Sequence, residues 1–188
     1  MQPHLILICG NVGAGKSSLA EALAKRLRYF LIRFDDIVWY VFPRGKLFDK
    51  EGEFLLSVDE ILHVYEIMYH IAGYLLHNGK DVVLESLYLP LQRKDALAMV
   101  KKHTNNITLI HIKCDDAVIR QRIAQRMREQ PQTPGLKHYL KWRKYFTTVP
   151  EADITLDTTN LTLKESCSAI LERMKIKGVT KPWRFPAQ

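Results

Sequence analysis

The sequence predicts an α/β fold, with helices packed on both faces of a five-stranded parallel sheet. Short apolar runs alternate along the chain with segments whose apolar residues recur at helical spacing, as in strands joined by crossover helices. The first apolar run, 4–9, leads through a glycine-rich turn into a repeat of Leu19, Leu23 and Leu27. These observations favour a three-layer arrangement of helices, sheet and helices.

The glycine-rich turn, Gly10–Ser18, reads G-x-x-x-x-G-K-S. Because an apolar run precedes it and a helical repeat follows it, the pattern predicts a phosphate-binding P-loop rather than an ordinary strand–helix turn. Its backbone N–H groups and the positive end of the helix dipole would point at phosphate oxygens. We expect Lys16 to reach the β- and γ-phosphates of ATP, and Ser17 to bind Mg²⁺. The expected nucleotide-binding set is Gly10, Asn11, Val12, Gly13, Ala14, Gly15, Lys16, Ser17 and Ser18.

The next apolar run, 29–34, predicts a second strand that ends at Asp35 and Asp36. The stretch 41–56 follows, and it combines a proline and two glycines with charged residues. This composition predicts an irregular surface segment that could act as a flap over a binding site.

The middle of the chain is predicted to form two helices with a strand between them. Ser57 and Glu60 form a capping box, which opens a helix expected to end at Asn78. The apolar run 82–85 predicts the third strand. Pro90 suits the first turn of the helix that comes next.

The last part of the chain is predicted to hold two more strands. The first, over 107–112, leads into a helix that Asp115 can cap. Prolines end this helix, and a second helical run over 136–146 completes a predicted lid at about 120–146. The other strand, over 154–156, precedes a last helix that opens on a second capping box.

The composition, 47% hydrophobic and 26% charged, is typical of a soluble globular protein. With no apolar run that could cross a bilayer, no signal-peptide pattern and three scattered cysteines, the sequence predicts a cytoplasmic protein with no membrane partner. We expect one domain over 1–178 and a basic tail over 179–188. The net charge of +8 is concentrated in 120–145 and beyond residue 173, which suits nucleotide phosphates or nucleic acid.

Acidic residues follow three of the predicted strands, at the edge of the sheet where α/β folds bind ligands. Asp35 could accept the proton of a substrate hydroxyl. Asp36 would point to the opposite side if the strand continues to that point, and the two roles are exchanged if the strand register is off by one residue. Glu85 ends the third strand in the place of a Walker-B acid, which makes it a candidate ligand of Mg²⁺. Asp157 follows the fifth strand.

Two arginines, Arg122 and Arg126, lie four residues apart on the predicted lid helix and therefore share one of its faces. They could close over a transferring phosphoryl group and neutralise the charge that develops on it. The alternative is that these arginines belong to the solvated basic face of a surface helix.

These motifs resemble those of P-loop kinases of the nucleoside-monophosphate-kinase type. The resemblance rests on Gly10–Ser18, on Asp35-Asp36-Ile37, on Glu85 and on the run 114–126, and it spans about 5–174. Within that group the sequence is most similar to the AAA-type kinases. Their relatives include the 5′-kinase domain of polynucleotide kinase, chloramphenicol phosphotransferase, gluconate kinase and the zeta toxins.

The resemblance implies roles for individual residues. It implies Asp35 as the base and Arg122 and Arg126 as lid arginines. It also implies that Arg93, shortly after the third strand, touches the substrate. Asp36 is a further candidate for the substrate-binding set, from its place beside Asp35. Since no arginine follows Asp36 directly, the acceptor is expected to be less anionic than a phosphorylated polynucleotide end.

The leading hypothesis is a kinase that uses ATP and Mg²⁺ to phosphorylate a hydroxyl of a small molecule of the nucleoside, sugar or antibiotic type. A 5′-hydroxyl polynucleotide kinase is an alternative within the same chemistry, because nucleic acid could bind the basic lid and tail. A nucleotide-binding regulatory protein without acceptor chemistry is an alternative of another class, although a guanine-binding N-K-x-D sequence is absent. The acceptor pocket is expected to involve 39–56 and the helix face 65–74. The acceptor's identity and the oligomeric state stay open.

Overall fold

A computed structural model describes residues 2–42, 47–130 and 133–174 of the chain. Its strands are β1 Leu5–Gly10, β2 Phe30–Arg33, β3 Val82–Glu85, β4 Ile107–Lys113 and β5 Ile154–Asp157. They form one sheet in the order β2-β3-β1-β4-β5, and every neighbouring pair is parallel. The predicted α/β fold with a five-stranded parallel sheet is confirmed.

Seven α-helices are present in the described residues: α1 Lys16–Leu27, α2 Phe34–Val41, α3 Val58–His77, α4 Pro90–Val100, α5 Asp116–Glu129, α6 Leu136–Trp142 and α7 Leu163–Arg173. A 3-10 turn extends α6. The capping boxes of Ser57 and Thr162 open α3 and α7, and the Asp115 carboxylate accepts a hydrogen bond from the backbone N–H of Ala117 at the start of α5. These local helix-start signals in the sequence are confirmed.

The central strand, β1, is completely buried, and its alternate residues face two separate cores. Leu5 and Leu7 lie in the core that includes residues of α3 and α4. Ile6 and Ile8 lie in the opposite core, with residues of α1 and α7. Burial on both faces is the expected state of a central parallel strand between helix layers. Because β1 is held between the two cores, its last residue, where the glycine-rich turn begins, has a fixed position.

One boundary of the predicted second strand is wrong, and the difference matters for the site. The strand β2 ends at Arg33, and Asp35 and Asp36 lie in the first turn of α2 instead of at a strand end. Acidic side chains are favoured there by the helix dipole. The apolar residues 34, 37, 38 and 41 have the spacing of a helix face, which was the sequence signal for α2.

Some sequence predictions lie outside the described residues. They concern residues 43–46 of the predicted flap, residues 131–132 of the predicted lid, the end of the last predicted helix beyond 174 and the basic tail 179–188. None of the described helices combines the length and apolarity needed to span a membrane.

Candidate active site

The loop that follows β1 wraps around the first residue of α1. Gly10 has φ 143°, and a Cβ at this position would overlap the carbonyl oxygen of Ile112 on β4, so the loop can leave the sheet here only with glycine. The Thr158 hydroxyl donates a 2.8 Å hydrogen bond to the carbonyl oxygen of Ala14. The neighbouring strands β4 and β5 therefore hold both ends of the loop in position.

Lys16, the first residue of α1, is buried beneath this loop. Its Nζ donates a 3.0 Å hydrogen bond to the carbonyl oxygen of Asn11 and lies 3.9 Å from Oε1 of Glu85. Glu85 ends β3, is 3% exposed and is hydrogen-bonded to the Ser17 side chain. The ends of two neighbouring strands thus bring an ammonium, a hydroxyl and a carboxylate together.

Burial controls the ionisation of these groups. It raises the pKa of Glu85 to about 7 and also raises the pKa of Asp35, while it lowers the pKa of Lys16. The positive charge of Lys16 acts in the opposite direction on both carboxyls. A further positive charge at this place would stabilise both carboxylates in their ionised form.

The two adjacent aspartates differ in what they face. Asp35 lines a cavity that also contains Lys16, and the charge of Arg126 acts on its carboxyl. Asp36 accepts two hydrogen bonds of 2.7 Å from the Arg33 guanidinium at the exposed surface and does not line this cavity. The expectation that Asp36 touches the substrate is therefore not supported. The reason is that α2, which begins at Phe34, turns it away.

The helix α5 contributes both arginines of the predicted pair to the same cavity. Arg122 Nη1 lies 3.4 Å from the carbonyl oxygen of Gly13 in the glycine loop. Arg126 Nη2 donates a 3.0 Å hydrogen bond to the carbonyl oxygen of Pro134, while its buried Nε has no hydrogen-bond partner among the described residues. A buried donor without a partner is costly, and an anionic ligand would satisfy it.

The cavity has a volume of about 560 Å³ and two chemically different ends. One end carries the loop, the carboxyls and the arginines. The other end is mainly apolar and aromatic, and its lining includes Phe34, Phe48, Phe54, Leu56, Ile61, Leu62, Tyr65, Leu87, Leu89 and Trp142. A cavity of this size whose lining combines a polar group of residues with an apolar one can hold two ligands, or two chemically different parts of one ligand.

Residues 47–56, named the strap here, cover the apolar end and are joined to α6. Phe48 and Phe54 form an antiparallel bridge within the strap. The Gly135 N–H donates a 2.9 Å hydrogen bond to the carbonyl oxygen of Gly52. Further contacts link strap acids to bases of α6: Glu51 with Lys137 at 2.8 Å, and Glu53 with Lys141 at 3.0 Å. The strap and α6 therefore form one wall of the cavity.

Sequence comparison identifies the family. A family model described as AAA domain matches residues 5–149. The guanylate kinase of Thermotoga maritima is 31% identical over 151 residues, which cover 69% of this chain and 67% of the relative. This chain belongs to the P-loop kinases of the nucleoside-monophosphate-kinase-like group. The shikimate kinase of Bacillus cereus is 24% identical over 182 residues, which cover 91% of this chain and 98% of the relative.

Solved structures share the kinase fold. A gluconokinase from Sinorhizobium meliloti has a TM-score of 0.63 and 19% identity, with 93% of each chain covered. The APS kinase of Mycobacterium tuberculosis, solved with AMPPNP and APS, has a TM-score of 0.67 and 13% identity, covering 93% of this chain and 99% of that one. At this level of identity the likeness shows the fold. Since this chain belongs to the P-loop kinases, its glycine loop corresponds to their P-loop.

The position of Arg93 differs from the one that the resemblance implied. This arginine is 3% exposed, and it does not line the cavity. Its Nε donates a 2.7 Å hydrogen bond to Oε1 of Glu151, and its Nη1 donates another of 2.7 Å to the carbonyl oxygen of Tyr88. Arg93 joins α4 to the chain just before β5, so its place in the fold is structural.

We expect the variant Arg93→Met to lower the free energy of unfolding by about 2 kcal/mol, because it leaves the Tyr88 carbonyl and the Glu151 carboxylate without their donor. The Michaelis constant for the acceptor should stay unchanged. Urea denaturation measures the first quantity and steady-state kinetics the second. Unchanged stability combined with a raised Michaelis constant would return Arg93 to the role of a substrate contact.

Sequence reasoning missed the most distinctive part of the site. It assigned 39–56, which includes Phe54, and one face of α3 to the acceptor pocket, but it did not identify Trp142 of α6 as a lining residue. It also treated the basic residues of α6 as partners of a polyanion, whereas Lys141 faces Glu53. The aromatic residues that follow Pro134 at helical spacing, Tyr139, Trp142 and Phe146, were the available signal.

Proposed function

We propose that this P-loop kinase transfers the γ-phosphoryl group of ATP to a hydroxyl group of a small molecule. The observation that carries the proposal is the convergence of Lys16, Asp35, Glu85 and Arg126 at one end of a cavity with free volume beyond them. That volume is in the range of small-molecule sites. The names of the guanylate, shikimate and gluconate kinases similar to this chain also support a small-molecule acceptor.

The P-loop and the arginines would hold the phosphates. The backbone N–H groups at the start of α1 suit an anionic ligand, and Lys16 adds a full positive charge beside them. Arg126 can donate from its unpartnered Nε, and Arg122 reaches the cavity beside Gly13. Fixed donors of this kind stabilise the charge of a transferring phosphoryl group without having to reorganise during the reaction.

The donor set also fits Mg²⁺. The Ser17 hydroxyl and the Glu85 carboxylate are hard oxygen ligands, and they are already in hydrogen-bond contact. When it is bound, Mg²⁺ neutralises phosphate charge and orients the phosphate oxygens. Burial raises the pKa of Glu85 to about 7, which means that the ionised carboxylate is disfavoured in the free site. A bound divalent cation would stabilise that ionised form.

Asp35 is the candidate general base. It lines the cavity together with Lys16 and its chain neighbour Phe34, so it can accept a hydrogen bond from an acceptor hydroxyl held there. A pKa that burial raises brings a carboxylate closer to the operating pH, where it accepts a proton more readily. Its main contribution in a loose transition state is to orient the attacking oxygen.

A polynucleotide acceptor has less support from the described residues. The basic groups of α5 and α6 are largely engaged within the molecule. Arg120 and Arg143 both contact Asp116, while Lys137 and Lys141 contact acids of the strap. A basic surface whose charges are already paired contributes little to phosphate binding by counterion release.

Transfer from labelled ATP to a panel of hydroxylated acceptors tests the proposal. The panel should contain aromatic alcohols, sugars, nucleosides and a 5′-hydroxyl oligonucleotide, each assayed with and without Mg²⁺. We expect transfer that depends on Mg²⁺ and is confined to one class of small molecule. Transfer to the oligonucleotide alone would favour the polynucleotide kinase, and ATP binding with no transfer to any alcohol would favour the regulatory protein.

A further inference from the structure

The apolar end of the cavity is built largely from aromatic rings. The ring centroids of Phe34 and Tyr65 are 4.6 Å apart, those of Phe48 and Phe54 are 5.0 Å apart, and those of Phe34 and Phe54 are 6.5 Å apart. These distances join α2, α3 and the strap in one continuous aromatic wall. Such a wall offers ring faces and edges to a ligand and few hydrogen bonds.

The charged side chains at this end, and the hydroxyl of Tyr65, already lie close to polar groups of the protein. Glu53 lies 3.0 Å from the Lys141 ammonium and 3.6 Å from Nδ1 of His138. Burial lowers the pKa of His138, so this imidazole is predominantly neutral near pH 7. The Tyr65 hydroxyl is 2.7 Å from the Ser86 hydroxyl. Among the described residues lining this end, we find no positive charge left over for an acidic acceptor.

Two nitrogens at this end are unused. Trp142 and His138 line the cavity, and the buried Nε1 of Trp142 and Nδ1 of His138 have no hydrogen-bond partner among the described residues. Two neutral nitrogens suit one or two polar atoms of an uncharged ligand, whereas the several hydroxyls of a sugar or the charge of a phosphate would be buried without enough partners.

We propose that the acceptor is an uncharged alcohol that carries an aromatic ring close to its hydroxyl group. The inference rests on the proposed function, because it places the ring against the wall of Phe34, Phe54 and Tyr65 while the hydroxyl reaches Asp35. In the transfer, the hydroxyl oxygen forms a bond to the γ-phosphorus, the bond from that phosphorus to the bridging oxygen of ATP breaks, and ADP leaves. The hydroxyl proton passes to Asp35 and then to solvent.

Three compounds that share a 1,2-diol as their reactive end test the ring preference: phenoxypropanediol, glycerol and glycerol phosphate. Calorimetric titration of the full chain, with the ATP analogue AMPPNP present, gives the affinity for each. We expect phenoxypropanediol to bind at least about tenfold more tightly than glycerol, and glycerol phosphate to bind no more tightly than glycerol. Equal affinities for the three compounds, or tightest binding of glycerol phosphate, would overturn the inference.

Two variants connect the preference to the wall. Phe54→Ala should remove most of the gain that the ring provides, while Phe54→Leu, which protects the fold, should remove part of it. Tyr40→Ala is the matched control, because Tyr40 is 94% exposed and does not line the cavity. If Phe54→Leu and Tyr40→Ala have the same effect on phenoxypropanediol, the wall does not hold the ring and the inference is wrong.

The same titrations separate this inference from the proposed function. Titration with AMPPNP alone measures nucleotide binding, and assays with ATP and phenoxypropanediol measure phosphoryl transfer. Neither measurement depends on comparing the affinities of the three acceptors. A chain that prefers phenoxypropanediol but transfers no phosphoryl group would contradict the proposed function only. A chain that transfers to glycerol phosphate faster than to phenoxypropanediol would contradict the ring preference only.

Discussion

The variant Asp35→Asn is expected to transfer phosphoryl groups slower by a factor on the order of 10²–10⁴, while its affinity for ATP stays near that of the unmodified chain. Asparagine keeps the shape of the side chain but cannot accept the hydroxyl proton. Asp35 does not belong to the P-loop, so the nucleotide should lose little. Single-turnover assays with a working acceptor measure the first quantity, and nucleotide titration measures the second.

The neighbouring residue provides the control for this variant. Asp36→Asn keeps the helix α2 and alters only a surface pair with Arg33, so its rate should remain close to the original one. The opposite pattern, with Asp36→Asn inactive and Asp35→Asn active, would mean that the two roles are exchanged. If both variants have similar rates, neither aspartate is distinguished as the general base, and the proposed mechanism would lose that step.

The variant Lys16→Met is expected to reduce transfer by a factor on the order of 10²–10³ and to weaken ATP binding by about tenfold or more. Methionine fills the buried volume of the lysine stem but has no charge to place beside a phosphate. The Lys16 ammonium also lies 3.9 Å from Glu85, and its charge favours the ionised form of that carboxyl. Its loss should therefore raise the pKa of that carboxyl further and weaken Mg²⁺ binding as well.

Lys164→Met, on the exposed surface of α7, is the matched change for Lys16→Met. It removes the same charge at a distance from the cavity and should leave both ATP affinity and transfer unaltered. Circular dichroism confirms in each case that the fold is retained. Full turnover by a folded Lys16→Met variant would contradict the assignment of the P-loop as the phosphate site.

Local signals in the sequence were enough to predict most of the fold. The capping boxes at Ser57 and Thr162 and the apolar runs of the sheet depend on residues close together in the chain, so they can be read without tertiary information. The start of α2 was not predicted, because the apolar run 29–34 is typical of a strand and the helical spacing of residues 34, 37, 38 and 41 begins at its last residue. Only packing against the rest of the molecule decides between the two.

The parts of the candidate site whose residues are close together in the sequence could be predicted, and the parts whose residues are far apart could not. The P-loop residues are consecutive, and their arrangement follows from one pattern. The partner of Arg93 is Glu151, 58 residues away, and no property of either residue alone indicates that pair. The aromatic wall likewise draws on α2, the strap and α3, whose side chains meet only after the sheet has formed.

The close backbone contact between the strap and the start of α6 has a consequence for mutational studies of this kinase. Gly52 has φ 73°, and a Cβ there would overlap backbone atoms of Gly135, while a Cβ at Gly135 would overlap the carbonyl oxygen of Glu51. A single methyl group at either glycine is therefore enough to force the two segments apart. Neither glycine lines the cavity. The position of the wall that these segments form thus depends in part on residues that do not line the cavity, and a mutational survey confined to the lining residues would overlook them.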